Sequence, residues 1–343
     1  MKKNAIRVLH GPLETANQMG TLVKGLNCHG VHGRSVNLIK SYLNYEDPYR
    51  LEKLWRPGAT QQEILAFLKN ECMDQFDIFN YHSGYRTFTH GYADVQLLKS
   101  EEKPLIIHHW GSEVRVLETA LQTNPYAVVK GSFSAGHIDN MLKLLSKNIR
   151  YCVVQDMEIY QYVKDYYENI FVVPVMIDLG DYEMDARESD NDRMLIVHAP
   201  TDTKIKGTQA IVEVMAQLKD EFAFDFKLIK GYSHTEAKKL YKQADLVIDQ
   251  LHLGIYGMVS IEAMAMGKPV VCYMSDFMLD HYPDDVPVIN ANADTLRDVM
   301  KTVLRNKDAL PDIGKKSRKY VEERHDMLKN SLEVKRIYEQ MLS

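Results

Sequence analysis

The fold class is decided by residues 244–271, whose sequence is ADLVIDQLHLGIYGMVSIEAMAMGKPVV. Two short apolar runs in and around this stretch, Leu246 to Ile248 and Val270 to Tyr273, have the composition of strands that are buried on both faces. Between them the sequence predicts a loop and then a short helix that ends at Gly267. A strand, a helix and a second strand in this order form a βαβ unit of a parallel sheet.

The same alternation of apolar runs and amphipathic stretches extends through the whole chain. In the first half, strands are predicted at Ile6 to Leu9, Val36 to Ile39, Ile78 to His82, Leu105 to His108, Tyr151 to Val154 and Val172 to Val173. In the second half, they are predicted at Leu195 to His198, Phe226 to Ile229, Leu246 to Ile248, Val270 to Tyr273 and Val286 to Ile289. Helices are predicted at Gln18 to Asn27, at Thr208 to Leu218 and within Ile313 to Ser343. This pattern predicts an α/β protein with two Rossmann-like units.

The chain is long enough for two domains. Its 343 residues are more than one domain usually contains, since most domains have about 100 to 200 residues. The polar run Arg187 to Arg193 is the candidate hinge. We therefore predict domains at 1–177 and 178–325, followed by a C-terminal helix at 326–343 that packs back on the first domain.

Composition excludes several classes of function. The net charge of -5 provides no general attraction to the phosphates of a nucleic acid. The four cysteines are far apart and form no CxxC pair, which is typical of a reduced, cytosolic protein. No apolar run approaches the roughly 20 residues of a spanning helix. Any membrane contact is therefore expected to be peripheral.

The loop and helix at 254–265 are predicted to bind an anion. In open α/β sheets, ligands bind at the carboxyl ends of the strands, where free amides and the helix dipole favour negative charge. A diphosphate would suit the turn formed by Tyr256, Gly257, Met258 and Val259. Glu262 lies one turn into the helix, where it either binds a polar group such as a ribose diol or stabilises the helix N-terminus.

Residues Glu262 to Val271 closely resemble the EAMAxGxPVV motif of family 4 glycosyltransferases. The resemblance implies the GT-B architecture, in which two Rossmann-like domains have parallel sheets that face each other across a cleft. It also implies that Glu262 binds the nucleotide ribose and that the preceding amides bind the donor phosphates. Gly254 stands where the family usually has a second Glu that contacts the transferred sugar. This difference is compatible with another donor sugar, with a neighbouring group in that role or with an inactive relative.

A second segment, His198 to Thr208, resembles the family's (R)xxxxKG motif, and residues 240–249 resemble its lY..AD.vv stretch. The resemblance implies that Lys206 neutralises the charge of the leaving diphosphate, a role that needs a fixed positive charge where no metal is present. The usual Arg falls on Pro200 or Thr201, and Lys204 is its candidate substitute. The alternative for Lys206 is a solvated lysine near a helix start.

In the first half, residues 105–115 resemble the family's H.hGSDvR turn, with Trp110 where many members have a His. Strand alternation makes His108 the first candidate to face the donor sugar and His109 the second; a structural histidine is the alternative. The segment His10 to Gly20 stands where family members place a loop that approaches the donor phosphates, and the resemblance implies that its amides and Gln18 close the site. His82 is a weaker candidate on the acceptor side.

No metal or cofactor is expected. The DxD-like Asp190-Asn191-Asp192 lies in the predicted hinge and does not follow a strand, so we reject it as a metal site. The co-substrate is a nucleotide diphosphate sugar, with a UDP-sugar ahead of a GDP-sugar.

The resemblance implies a retaining, metal-independent glycosyltransferase of the hexosyltransferase type. The donor is expected on the second domain and the acceptor, a glycan or glycolipid precursor of the cell surface, on the first. A cytoplasmic location at the inner face of the membrane follows from this role. The alternatives are a catalytically impaired sugar-nucleotide-binding protein of the same architecture and a sugar-nucleotide 2-epimerase.

Overall fold

The computed structural model describes residues 5–39, 45, 47–51, 59–184, 193–282 and 285–343. The chain divides into two compact units. Unit 1 comprises Met1–Val116, Gly131–Ile177 and Met327–Ser343, and unit 2 comprises Leu117–Lys130 and Asp178–Asp326. The segment Leu117–Lys130 thus belongs to unit 2, although the sequence places it inside the first predicted domain.

Strands and helices alternate along the chain. The strands are β1 (Arg7–Gly11), β2 (His32–Ser35), β3 (Ile78–His82), β4 (Leu105–His109), β5 (Tyr151–Val154), β6 (Asn169–Val172), β7 (Met194–His198), β8 (Phe224–Leu228), β9 (Leu246–Ile248), β10 (Val270–Cys272) and β11 (Ile289–Asn290). The helices are α1 (Gln18–Cys28), α2 (Gln61–Phe67), α3 (Ala93–Ser100), α4 (Leu117–Thr123), α5 (Ala135–Asn148), α6 (Met157–Val163), α7 (Thr208–Leu218), α8 (His234–Gln243), α9 (Met258–Ala265), α10 (Asp276–His281), α11 (Leu296–Arg305), α12 (Leu310–Arg324) and α13 (Met327–Met341). A π-helical turn at Leu68–Cys72 continues α2, and 3-10 turns lie at His90–Tyr92, Leu179–Asp181 and Lys307–Ala309.

Unit 1 is built on a six-stranded sheet with the order β2-β1-β3-β4-β5-β6, in which every pair is parallel. Its strand order reverses between β1 and β3. Apolar side chains from one face of the sheet pack against α1 and α13, as shown by the buried cluster of Val8, Ile78, Leu22, Val334 and Tyr338. The C-terminal helix α13 therefore completes the core of unit 1.

Unit 2 is built on a five-stranded parallel sheet with the order β11-β10-β9-β7-β8. Its order reverses between β7 and β9. The core contains Ile196, Leu246 and Val271 from the strands together with Ile211 and Met300 from the helices. Two α/β units with parallel sheets confirm the predicted fold class.

Most predicted strands agree with the structure to within two residues, but three are displaced. The strand predicted at Val172 to Val173 lies earlier, at Asn169–Val172. The strand predicted at Val36 to Ile39 is wrong, because β2 is the preceding segment His32–Ser35. This edge strand is only partly buried and carries His32 and Arg34, so it lacks the apolar run that composition detects. The strand predicted at Val286 to Ile289 is reduced to Ile289–Asn290.

The predicted hinge falls largely outside the described residues, which include only Arg193 from that run. Within the described part of the chain, every helix is too short or too polar to cross a membrane.

Candidate functional site

The candidate site of unit 2 lies at the carboxyl ends of β7 and β9, where the strand order reverses. This is the position at which open α/β sheets bind their ligands. The loop after β7 carries Lys204 and Lys206 and ends at Gly207, which has a left-handed φ of 70° and precedes α7. The segment after β9 begins with Asp249 and leads to α9.

Lys206 and Asp249 form a buried ion pair. The Lys206 Nζ lies 2.5 Å from the Asp249 Oδ1, and the two side chains are 11% and 1% exposed. The Asp249 Oδ2 accepts hydrogen bonds from the Gly257 amide at 3.0 Å and from the Ser260 Oγ at 2.6 Å. Burial acts to raise the pKa of Asp249, but the charge and hydrogen bond of Lys206, together with the hydrogen bonds from Ser260 and Gly257, outweigh it and hold this pKa below its usual value. Asp249 is therefore an ionised carboxylate that joins the lysine to the start of α9.

Lys204 and the residues at the start of α9 differ in accessibility. Lys204 is exposed, and its amide donates to the Asp202 Oδ1. Met258 and Val259 are partly buried at the first positions of α9. The amides of a first helical turn have no partner within the helix, so this end of α9 can donate to an anion. The fold brings the Lys206 ammonium close to the start of α9, and the role of both in donor binding stays a prediction.

The hydroxyl of Tyr256 forms hydrogen bonds with other residues of unit 2. It lies 2.9 Å from the Tyr320 hydroxyl and 2.9 Å from the His325 Nε2, and the ring stacks on Tyr282. Tyr256 is 4% exposed. The structure therefore places this predicted phosphate ligand in the interior of unit 2, with only its backbone near the turn.

Glu262 is buried and has polar partners. Its Oε1 accepts a hydrogen bond from the Tyr182 hydroxyl at 3.0 Å and lies 2.7 Å from the His234 Nε2. A buried carboxylate needs such donors, since leaving it without them would be costly. Among the described residues, both of these contacts use Oε1, so we assign Oε2 to a further partner.

The position of the absent second Glu is closed to a side chain. Gly254 has a φ of 70°, and a Cβ there would lie 2.9 Å from the Asn124 Nδ2 and 3.0 Å from the Ser275 Cβ. The Asn124 Nδ2 is itself anchored on the His252 carbonyl at 2.7 Å. A side chain at 254 therefore requires both a strained backbone and displaced neighbours.

In unit 1, three histidines and a tryptophan collect at the ends of β1, β3 and β4. His10 and His82 lie 3.1 Å apart through Nδ1 and Nε2. The His82 ring stacks on His108 and on Trp110, with centroids 4.9 and 5.8 Å apart. The three histidines are at most 2% exposed.

Burial keeps these histidines neutral. It lowers the pKa of His10 to about 3. It also lowers those of His82 and His108 well below the usual value, with further lowering by the neighbouring imidazoles. The His10 Nε2 and the His82 Nδ1 have no hydrogen-bond partner among the described residues. Such a cluster is costly to bury.

The other two predicted residues of unit 1 have structural partners. The His109 Nε2 lies 2.8 Å from the Tyr167 hydroxyl, and its Nδ1 lies 3.5 Å from Glu113. The Gln18 side chain donates through Nε2 to the Met176 carbonyl at 3.0 Å, and its Oε1 accepts from the Met176 backbone amide at 2.8 Å. Gln18 therefore fixes a neighbouring segment of unit 1.

Sequence reasoning missed four residues of the candidate site in unit 2. They are Asp249, Ser260, Tyr182 and His234. The one available signal was that Asp249 directly follows an apolar strand, at the edge where ligands bind. Nothing in the spacing of Tyr182 or His234 indicates that they meet Glu262.

The described residues include no group of three or more His, Cys, Asp or Glu side chains placed to hold a metal ion. The rejected Asp190-Asn191-Asp192 lies outside those residues.

Comparison with known proteins gives one family match. Residues 224–320 match the family model described as "Glycosyl transferases group 1". This segment contains Asp249, Gly257 and Glu262. No curated protein matches the chain by sequence.

Solved structures resemble the whole chain. The Anabaena protein Alr3699/HepE, crystallised with UDP and glucose, has a TM-score of 0.70 at 11% identity, over 98% of this chain and 100% of that chain. The sucrose-phosphate synthase from Thermosynechococcus elongatus has a TM-score of 0.68 at 14% identity, over 98% and 99%. A glycosyltransferase from Rickettsia africae has a TM-score of 0.66 at 14% identity, over 99% of both chains. The chain has the GT-B fold, and its match to glycosyl transferases group 1 supports a nucleotide-sugar glycosyltransferase.

Proposed function

We propose that the protein is a retaining glycosyltransferase of family 4, which transfers a hexosyl group from a nucleotide diphosphate sugar to a carbohydrate or glycolipid acceptor. One observation carries this proposal. A buried cation, Lys206, lies beside the start of α9 at the carboxyl edge of the unit 2 sheet, and α9 itself belongs to the segment 224–320 whose sequence matches glycosyl transferases group 1. A fixed cation and a helix N-terminus are suited to a diphosphate.

The donor contacts follow from this placement. Glu262 binds the ribose diol through Oε2, while Tyr182 and His234 hold Oε1. The amides of Met258 and Val259 bind the diphosphate. Lys206 stabilises the charge that develops on the diphosphate as the bond to the sugar breaks, and the exposed Lys204 adds a second positive charge.

The chemistry needs no metal ion in this proposal. The bond between the anomeric carbon and the phosphate oxygen breaks, the acceptor oxygen forms a new bond on the same face, and the leaving phosphate takes the acceptor proton. The positive charge of Lys206 replaces the charge that a metal would supply. Activity is therefore expected to persist in EDTA.

The donor is proposed to be a UDP-sugar. The Alr3699/HepE structures contain UDP, with glucose or as UDP-glucose, in the same fold. The acceptor is proposed to be a cell-surface precursor, which places the protein in the cytoplasm at the inner face of the membrane. His108, with its neighbour Trp110, is the proposed unit 1 contact to the reacting sugars.

A second candidate function is sugar-nucleotide binding without transfer. The observation that favours it is the closed environment of Gly254, which excludes the side chain that the family uses on the transferred sugar. The two candidates predict the same nucleotide binding and differ in turnover.

A screen of UDP-sugars and GDP-sugars in EDTA tests both candidates through calorimetric binding and release of the nucleotide diphosphate. We expect one sugar nucleotide to bind and to be slowly hydrolysed. Glu262→Gln and Lys206→Met should weaken binding by about tenfold or more, whereas Glu213→Gln on the exposed face of α7 should not. Binding without any release of product favours the second candidate. If no sugar nucleotide binds, both are wrong.

A further inference from the structure

Lys206 occupies an unfavourable electrostatic position. The position of a Cβ on Gly257 lies 3.2 Å from the Lys206 Nζ and 3.2 Å from the Asp249 Oδ2, so the ammonium lies directly beside the N-cap of α9. The N-terminus of a helix carries a partial positive charge and repels cations. A buried ammonium at this place therefore requires a compensating negative charge.

Asp249 supplies that charge. It contacts the ammonium through Oδ1 and the helix start through Oδ2, where it accepts from the Gly257 amide and the Ser260 hydroxyl. Two other titratable groups interact with the pair, His198 from β7 and Cys272 from β10. Burial lowers the pKa of His198 to about 4 and raises that of Cys272, so both are neutral between pH 6 and pH 9.

We infer that Asp249 is a positioning residue of the donor site, which holds the charged Lys206 beside the N-terminus of α9 so that both face the same diphosphate. This inference rests on the proposed function. Asp249 itself does not touch the donor. It acts through Lys206, because without its carboxylate the lysine would be repelled by the helix end and would lose its charge or its place.

An ordinary capping role is the competing explanation. A cap stabilises the helix whether or not a lysine is present. Charge compensation instead predicts that the need for Asp249 disappears when the lysine charge is removed. The two explanations therefore differ in a double-mutant cycle with Lys206→Met.

The test uses the full-length chain with UDP as the probe, titrated by calorimetry in EDTA at pH 6.5, 7.5 and 8.5. Asp249→Asn should weaken UDP binding about tenfold to a hundredfold. The ratio of variant to wild-type affinity should fall further as the pH rises, because an uncompensated buried ammonium loses its proton more readily. Ser260→Ala removes a hydrogen bond to Asp249 but no charge, and it should leave this ratio independent of pH.

In the Lys206→Met background, Asp249→Asn should cause no additional loss of UDP affinity. If Asp249→Asn does not fold, the uncharged pair Asp249→Asn with Lys206→Met should fold, since the repulsion is gone. Failure of that double variant to fold would show that Asp249 is needed as a cap and would overturn the inference. Equal UDP affinity of wild type and Asp249→Asn at every pH would overturn it too while leaving the proposed function intact. If UDP does not bind to the wild type, both the inference about Asp249 and the proposed function are wrong.

Discussion

Acidification should destabilise unit 1 through its buried histidines. The pKa of His10 is lowered to about 3 by burial, against 6.5 when the residue is unfolded. Between these two values the unfolded chain binds more protons than the folded chain. The stability that depends on neutral His10 is therefore complete above pH 6.5 and is lost as the pH falls towards 3.

The magnitude follows from linkage. For one group with these two pKa values, lowering the pH from 7 to 5 reduces the free energy of unfolding by about 2 kcal/mol, or about 1.4 kcal/mol for each pH unit well below 6.5. His82 and His108 act in the same direction, because burial also lowers their pKa values. The total loss should therefore exceed the contribution of His10.

Urea unfolding at pH 5, 6 and 7 measures this loss, with Trp110 as a fluorescent reporter because its ring stacks on His82. The slope of the free energy of unfolding against pH gives the number of protons taken up on unfolding, and His10→Gln should reduce this number by about one, whatever its effect on stability at pH 7. His32→Gln is the matched control, since His32 is exposed on β2 of the same unit. An unchanged pH dependence in His10→Gln would refute the reasoning.

Two further predictions concern glycines of unit 2. Gly314→Ala should destabilise the protein by several kcal/mol in chemical denaturation, because its Cβ would lie 2.0 Å from the Gly267 carbonyl oxygen. The control is Gly136→Ala, which is also helical but has no neighbours within 4 Å of the added Cβ, and it should be neutral or stabilise the protein by up to about 1 kcal/mol. Equal effects of the two substitutions would contradict this packing. Gly254→Glu restores the family pattern, yet it should lower the melting temperature and fail to improve sugar-nucleotide turnover, because its Cβ collides with Asn124. A stable and more active Gly254→Glu would show that the site is open.

The fold could be predicted from the sequence because buried parallel strands are continuous apolar runs. Such runs identify β3, β4, β5, β9 and β10 to within one residue. β2 shows the limit of the method most clearly, since the edge strand His32–Ser35 is too polar to be detected. Its hydrogen bonds to β1, which composition does not report, make it a strand.

The candidate site was only partly predictable. Lys206 and Glu262 are predicted from the sequence because they lie in segments that resemble a known family. Their partners come from elsewhere in the chain, so local spacing contains no signal for them: Asp249 reaches Lys206 across the switch point, and Tyr182 reaches Glu262 over 80 positions. Long-range pairs of this kind depend on the tertiary fold.

Hydrogen–deuterium exchange of the wild type, with and without UDP in EDTA, tests the central claim most directly. The account predicts that UDP slows exchange in two segments of unit 2, residues 204–208 and 257–262, because their amides lie at the proposed donor site. The same segments should show little protection in Lys206→Met. Protection confined to other regions, or no protection at saturating UDP, would contradict the proposal that this edge of the sheet binds a nucleotide diphosphate.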